Sequence, residues 1–225
     1  MQIAVLTFDA FNELDSFVVA ALLNRLAPAG WRAYITAPTS RVTSKNGVVV
    51  EAQRPLEFAA EADAVIFGSG MKTDEIADDP AMLARMVVDP ARQLLAGQCS
   101  GALVMAALGL LEQGPLCTDM MTRPLLEGSG RHVLDQPFHA RGNVATAGGC
   151  LASQYIATWI IGGQLGLDRA ADVIRYAAPV GQQDDYVARA VSAVSPFLAT
   201  PSAAHARDTA GMLRAATSDA PASSG

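Results

Sequence analysis

The stretch Leu94-Leu95-Ala96-Gly97-Gln98-Cys99-Ser100-Gly101-Ala102-Leu103 decides the fold. It predicts an apolar strand that ends at Cys99, a turn of small residues, and then a helix rich in Ala and Leu. Such a strand-to-helix turn is a nucleophile elbow, which presents its central side chain at the carboxyl edge of a parallel sheet. Free cysteines are also common as buried packing residues. The local pattern therefore leaves both a reactive and a packing role open for Cys99.

A helix that begins directly after Cys99 affects its predicted chemistry. Unpaired N–H groups and the positive end of the helix dipole favour a thiolate. We therefore expect the pKa of Cys99 to lie below the ordinary thiol value of about 8.5. Cys117 and Cys150 are interpreted as packing residues. The three cysteines fit no zinc spacing, which favours free thiols in a reducing, cytoplasmic compartment.

Strand-like and helix-like segments alternate along the chain, and this rhythm predicts a mainly parallel sheet with helices on both faces. The predicted extended segments are 3–8, 31–36, a hairpin over 41–53 appended to the sheet, 63–67, 93–98, 115–118 and two joined segments within 131–147. The predicted helices are 14–26, 80–88, 102–111, 151–165, 169–176 and 185–194.

Composition limits the classes of protein that this chain can belong to. With 225 residues, of which 51% are apolar and 17% charged, the chain can bury a sizeable core. We predict one domain over residues 1–199 and a flexible or weakly docked Ala/Ser/Pro-rich tail over 200–225. A net charge of -6 without a basic cluster argues against nucleic-acid binding. No secretory signal or membrane span is predicted.

Several motifs in order resemble the ThiJ/PfpI superfamily, a branch of the class I glutamine-amidotransferase-like, flavodoxin-type folds. They are Glu13-Leu14-Asp15 after the first strand, Cys99-Ser100-Gly101-Ala102-Leu103-Val104 at the elbow, Gly109-Leu110-Leu111, and Ala147-Gly148-Gly149. The segments around Asp15 and Cys99 are most similar to the isocyanide hydratase-like subgroup. The resemblance covers residues 3–196 and implies a flavodoxin-like three-layer sandwich.

The resemblance also implies roles for particular residues. Cys99 would be the nucleophile and Asp15 the neighbouring acid or base, with Glu13 as the competing carboxylate. Residues two apart on a helix point to different sides, so at most one of the two should face the cysteine. The backbone N–H groups of Gly70 and Ser100 would form an oxyanion hole. Here Gly68-Ser69-Gly70 replaces the Pro-Gly-Gly of relatives, so we expect a less firmly placed donor.

A second departure from the family concerns histidine. Met120 stands where related proteins often carry a His, so the usual Cys–His pair is absent. Thr118 or Asp119 could partly replace it by hydrogen bonding, and Thr118, Asp119 and Met120 form the predicted pocket. Met121 and Phe138 could extend an apolar pocket, although core packing is the default interpretation of these side chains and of Met120. His139 is interpreted as a solvent-facing strand residue.

These residues support two classes of function. The first is a cysteine-dependent hydro-lyase or hydrolase of isocyanide hydratase type, acting on a small molecule through Cys99 and Asp15. The alternatives are a non-catalytic ligand-binding or cysteine-oxidation sensor protein, and a glyoxalase-like enzyme. The resemblance implies no metal or organic cofactor, and it implies a homodimer.

Overall fold

A seven-stranded sheet forms the middle layer of the computed structural model, which describes residues 1–112 and 114–198. In chain order the strands are β1 (Gln2–Leu6), β2 (Arg32–Ala37), β3 (Arg41–Thr43), β4 (Val49–Glu51), β5 (Arg54–Pro55), β6 (Ala64–Phe67), β7 (Leu94–Gln98), β8 (Phe138–Arg141) and β9 (Val144–Ala147). The order across the sheet is β5-β2-β1-β6-β7-β9-β8. All neighbours pair in parallel except β8 and β9.

Helices cover both faces of this sheet. They are α1 (Glu13–Asn24), α2 (Thr73–Ala77), α3 (Pro80–Arg85), α4 (Gly101–Ala107), α5 (Arg123–Gly128), α6 (Ser153–Leu165), α7 (Leu167–Ala177) and α8 (Gln183–Val194). None of the helices within residues 1–112 and 114–198 has the length and apolar character needed to cross a bilayer.

Strand β1 shows why the chain folds in three layers. Its side chains alternate, so Ile3 and Val5 enter the core beneath α1, α6, α7 and α8, whereas Ala4 and Leu6 enter the core on the α4 side. All four are fully buried. A strand covered on both faces carries a continuous apolar run. The predicted flavodoxin-like three-layer sandwich, with its mainly parallel sheet, is therefore confirmed.

The structure differs from several of the predicted strands and helices. The hairpin β3–β4 forms its own two-stranded sheet instead of joining the main one. Residues 115–118 form only an isolated bridge between Leu116 and Val133, and the Cys117 N–H donates to the Thr146 hydroxyl at 2.8 Å. Within 131–147, only β8 and β9 are strands. The short helices α2 and α5 and the edge strand β5 were not predicted. Residue 199 and the proposed tail over 200–225 lie outside the described residues.

Candidate active site at the carboxyl edge of the sheet

Cys99 occupies a strained elbow between β7 and α4. Its backbone φ is 48°, in the left-handed region that non-glycine residues seldom adopt. The Cys99 N–H donates to the Ala147 carbonyl of neighbouring β9 at 2.8 Å, which fixes the end of the strand. Gly101 allows the following helix to approach, since a Cβ there would lie 2.0 Å from the Phe67 carbonyl oxygen. The predicted elbow is thus present as a backbone structure.

Three side chains converge at this elbow. The ligand atoms of Asp15, Cys99 and Cys150 all lie within 4.8 Å of one another. Asp15 is completely buried and Cys99 is 3% exposed, whereas Cys150 is half-buried. Glu13 lies elsewhere, because its carboxylate accepts hydrogen bonds from Ser44 and Asn46 of the β3–β4 turn. The structure therefore brings Asp15, and not Glu13, next to Cys99.

Hydrogen bonds hold Asp15 in this position. Ser69 and Ser16 donate their hydroxyl groups to its two carboxylate oxygens. Asn12 caps α1 by accepting from the Leu14 N–H, and its side-chain nitrogen lies 3.3 Å from Asp15 Oδ2 and 3.0 Å from Cys150 Sγ. The carboxylate is thus buried but well supplied with donors, as a buried charge requires.

Burial raises the pKa of Asp15 to about 6, from an ordinary value of 3.8. The hydrogen bonds from Ser69, Ser16 and Cys99 oppose this shift, because they stabilise the ionised form. A carboxyl group that titrates near 6 can accept and return a proton around neutral pH.

The predicted lowering of the Cys99 pKa is wrong in this structure. Burial raises the pKa of the Cys99 thiol, and the nearby Asp15 carboxylate raises it further. Gln98 opposes the rise by donating from Nε2 to Cys99 Sγ at 3.4 Å. At neutral pH the pair therefore carries its negative charge on Asp15, with the proton on sulfur. Attack by Cys99 then requires that proton to move to Asp15.

The two expected oxyanion donors differ in their present partners. The Gly70 N–H donates to Ser100 Oγ at 3.2 Å, and that hydroxyl also exchanges a hydrogen bond with Thr73 Oγ1 at 3.0 Å. The Ser100 N–H has no hydrogen-bond acceptor among residues 1–112 and 114–198. The Gly70 donor thus becomes available to a ligand only when Ser100 Oγ gives way to it.

The Gly68-Ser69-Gly70 turn is held more firmly than its departure from the family pattern suggested. The Ser69 carbonyl accepts a hydrogen bond from the Asn12 N–H at 2.8 Å, and Gly70 forms an antiparallel β-bridge with Phe11. A Cβ at Gly70 would lie 2.7 Å from the Ala10 carbonyl oxygen, so the close approach needs glycine. Ser69 also supplies a hydroxyl that a glycine could not supply to Asp15.

Thr118 and Asp119 are engaged in local structure rather than with the thiol. Thr118 Oγ1 donates to the Cys99 carbonyl at 2.8 Å, and Asp119 accepts from the Met121 and Thr122 N–H groups. The side chain at the expected histidine position, Met120, is 89% exposed and borders a neighbouring cavity with Thr118. The substitute for a catalytic His that the sequence suggested is therefore not formed.

Met120 and Met121 differ from their default interpretation as core residues, whereas Phe138 agrees with it. Met121 is 85% exposed and, like Met120, is not a core residue. Phe138 is buried in the core against Trp159, and so it lines no pocket at this edge. His139 is half-buried against Phe197 with ring centroids 4.9 Å apart, and it borders a different cavity.

A cavity of about 340 Å³ opens above the cluster. Cys99, Cys150, Ser69, Gly70, Ser100 and Asp119 line it on one side, and Leu103, Met121 and Leu125 give it an apolar wall. The volume suits a small organic molecule. The elbow thiol and both predicted oxyanion residues thus face one ligand-sized space.

Sequence reasoning missed four contributors to this site: Asn12, Ser69, Gln98 and Cys150. Cys150 carried the clearest signal, because it follows the Ala147-Gly148-Gly149 turn just beyond β9. Its proximity to Cys99 depends on β9 pairing with β7, in the register that places Gln98 opposite Ala147. The order of strands in the sheet cannot be derived from the local pattern around Cys150.

Within the described part of the chain, one group of side chains lies close enough together to share a metal ion: Asp15, Cys99 and Cys150. Two sulfur ligands would favour a soft ion over Mg²⁺ or Ca²⁺. The expectation that no metal binds stays a prediction.

Comparison with known proteins agrees with this architecture. Residues 1–173 match the sequence model of the DJ-1/PfpI family. No curated protein matches the chain in sequence.

Solved structures show the same fold. DJ-1 from Schizosaccharomyces pombe superposes with a TM-score of 0.67 at 16% identity, covering 80% of this chain and 100% of that one. The oxidized form of Toxoplasma gondii DJ-1 gives 0.67 at 19% identity, covering 78% and 97%. A ThiJ/PfpI family protein from Pseudomonas syringae gives 0.62 at 22% identity, covering 96% and 86%. At these identities the likeness concerns the fold.

Proposed function

The chain belongs to the DJ-1/PfpI family, and we propose that within it this protein is a cysteine-dependent small-molecule hydratase or hydrolase of isocyanide hydratase type. One observation carries the proposal: the fully buried Asp15 carboxyl group, with its pKa raised to about 6, stands beside the elbow thiol of Cys99. The resemblance of the Asp15 and Cys99 segments to the isocyanide hydratase-like subgroup supports the same reaction.

In the proposed reaction Cys99 attacks the terminal carbon of an isocyanide. Asp15 takes the thiol proton as the S–C bond forms and delivers it to that carbon, which gives a thioimidate on Cys99. Water then adds to the carbon, Asp15 assists its deprotonation, and the nitrogen is protonated. Cleavage of the C–S bond, with the proton returned to sulfur, releases an N-substituted formamide. The sum is one water added to one isocyanide.

The cavity has both polar and apolar lining residues, which supports a small substrate with an apolar organic group. Leu103, Met121 and Leu125 would contact its organic group, while the reacting carbon lies toward Cys99. The Ser100 N–H, and the Gly70 N–H once released by Ser100 Oγ, would face charge that develops during attack. A carbonyl substrate could use the same donors, and this keeps the hydrolase form of the proposal open to test.

A glyoxalase-like reaction has less support. The resemblance implies that glyoxalase-like members of the superfamily rely on Glu and His residues. Of the histidines within residues 1–112 and 114–198, His132 is exposed and His139 borders another cavity. His205 lies outside the described residues. Asp15 therefore has to act without an imidazole partner in this part of the chain.

Turnover of an alkyl or aryl isocyanide tests the proposal, with formation of the formamide followed by NMR. We expect activity in the wild type and a loss of at least about 100-fold in Cys99→Ser and Asp15→Asn. Glu13→Gln is the matched control, since it makes the same carboxylate-to-amide change at a residue outside the cluster, and it should retain activity. Equal activity in wild type and Cys99→Ser would overturn the proposal.

The predicted homodimer and the predicted cytoplasmic location are also proposals. A homodimer and a cytoplasmic location accord with the resemblance and with a reduced thiol site. Light scattering of the purified protein tests the dimer directly, because a monomer mass would contradict it.

A further inference from the structure

Cys99 and Cys150 stand at corresponding ends of adjacent parallel strands. Cys99 follows β7 directly, and Cys150 lies three residues beyond the end of β9, which pairs with β7. The pairing of Gln98 with Ala147 sets the ends of β7 and β9 side by side, so the two cysteines follow neighbouring strand ends. The two sulfur atoms lie within 4.8 Å of each other. The fold therefore presents a pair of thiols close enough to bond.

The immediate surroundings keep this pair together and open to a reactant. Asn12 donates to Cys150 Sγ at 3.0 Å, and the same amide nitrogen contacts Asp15. Both sulfurs line the same cavity of about 340 Å³. Cys150 is half-buried and begins a single 3₁₀ turn, Cys150–Ala152, after Gly148 and Gly149. Bond formation would bring the two sulfurs from a separation of less than 4.8 Å to the S–S bond length of about 2.05 Å.

We propose that Cys99 and Cys150 form a reversible intramolecular disulfide when the protein meets a hydroperoxide. The third cysteine takes no part, because Cys117 is fully buried and lies outside the cluster. The modification site is thus the pair formed by the elbow thiol and its neighbour across the β7–β9 edge.

The chemistry balances in two steps. Cys99 sulfur attacks the outer oxygen of the hydroperoxide, Asp15 accepts the thiol proton, the O–O bond breaks, and the leaving oxygen is protonated to an alcohol or water. Cys99 is then a sulfenic acid. Cys150 sulfur attacks Cys99 sulfur, the S–O bond breaks, and the hydroxyl leaves as water with the Cys150 proton. Overall, two thiols are oxidised by two electrons and one hydroperoxide is reduced.

Closing the disulfide would remove the nucleophile from the cavity. That regulatory consequence rests on the proposed hydratase function, whereas formation of the bond does not. A mass measurement on protein without substrate therefore tests the disulfide independently of turnover.

The test uses the purified chain treated with equimolar hydrogen peroxide or cumene hydroperoxide, then denatured and labelled with N-ethylmaleimide. Untreated protein should take up three labels, one for each cysteine. Treated protein should take up one label, lose the mass of two hydrogen atoms, and give a linked peptide pair containing Cys99 and Cys150. Dithiothreitol should restore three labels.

Two variants make the result specific. Cys117→Ser should still form the disulfide, whereas Cys150→Ser should trap Cys99 sulfenic acid for reaction with dimedone. Oxidation of wild-type Cys99 to sulfinic acid while Cys150 stays free would overturn the proposal. A bond between two copies of the chain, or one that includes Cys117, would also overturn it.

Discussion

Ser69 donates its hydroxyl hydrogen bond to Asp15 across a sequence separation of 54 residues. The serine lies on the turn after β6, and the aspartate lies in the first turn of α1. This contact connects the β6 turn to the carboxylate beside Cys99. It also opposes the effect of burial on that carboxylate, since a donated hydrogen bond favours the ionised form.

Removing the Ser69 hydroxyl should raise the pKa of Asp15 above its value of about 6. We expect Ser69→Ala to shift the Asp15 titration to higher pH, because burial would then act with less opposition. Carbon-13 NMR of the side-chain carboxyl group measures this titration, and Asp15→Asn assigns the resonance.

Ser16→Ala is the matched comparison for Ser69→Ala. Ser16 also donates to Asp15, at 3.3 Å, and lowers the pKa less than Ser69 does. The shift in Ser16→Ala should therefore have the same sign and a smaller size. A larger shift in Ser16→Ala than in Ser69→Ala would contradict the assigned order of the two hydrogen bonds.

The raised pKa of Asp15 should make stability depend on pH. The folded-state pKa of Asp15, about 6, exceeds the ordinary value of 3.8. The contribution of Asp15 to the unfolding free energy is therefore fully present below pH 3.8 and is lost as pH rises through 6. The whole shift amounts to about 3 kcal/mol of unfolding free energy, most of which is lost between pH 4 and pH 8. Urea unfolding of wild type and Asp15→Asn at pH 4 and pH 8 isolates the contribution of Asp15, because the titrating groups that the two proteins share cancel in the difference between their unfolding free energies.

Relative to Asp15→Asn, the wild type should thus be less stable at pH 8 than at pH 4. A stability difference between the two proteins that does not change with pH would show that Asp15 titrates normally in the folded state.

Close packing at the elbow makes a second stability prediction. A Cβ on Gly101 would lie 2.0 Å from the Phe67 carbonyl oxygen and 3.0 Å from the Gly68 oxygen, both rigid backbone atoms. We expect Gly101→Ala to lower the unfolding free energy by about 1–3 kcal/mol or more, as overpacking does. Gly128→Ala is the control, because nothing lies within 4 Å of its Cβ position at the end of α5.

Gly128→Ala should be neutral or stabilising by up to about 1 kcal/mol, since alanine favours a helix over glycine. Chemical unfolding of both variants measures the contrast. Equal destabilisation by the two substitutions would mean that the elbow backbone relaxes freely.

The sequence predicted the features of the site that form within a short stretch of chain. It did not predict those that depend on contacts between distant residues. The elbow at Cys99 was predictable, because the strand, the small residues and the helix follow one another within ten residues. The role of Ser69 was not, because its hydroxyl meets Asp15 only after β6 and α1 pack together. Cys150 joins the cluster through the pairing of β7 with β9, which no local pattern specifies.

The fold was predicted more completely than the chemistry for a related reason. Alternating apolar periodicity reports which faces are buried, and this was enough for the three layers. It does not report how deeply one polar group is buried. The sequence therefore predicted a lowered Cys99 pKa from the neighbouring helix end, whereas burial beside the Asp15 carboxylate raises it.

That reversal leads to an alkylation experiment on Cys99. Because burial and the Asp15 charge both disfavour the thiolate, wild-type Cys99 should react with iodoacetamide more slowly at pH 7 than an exposed thiol. Asp15→Asn removes the charge and should lower the apparent pKa of Cys99, which the pH dependence of labelling in a Cys117→Ser background measures by mass spectrometry. Rapid wild-type labelling with an apparent pKa below 8.5 would instead restore the helix-end explanation, since the charge would then reside on sulfur rather than on Asp15.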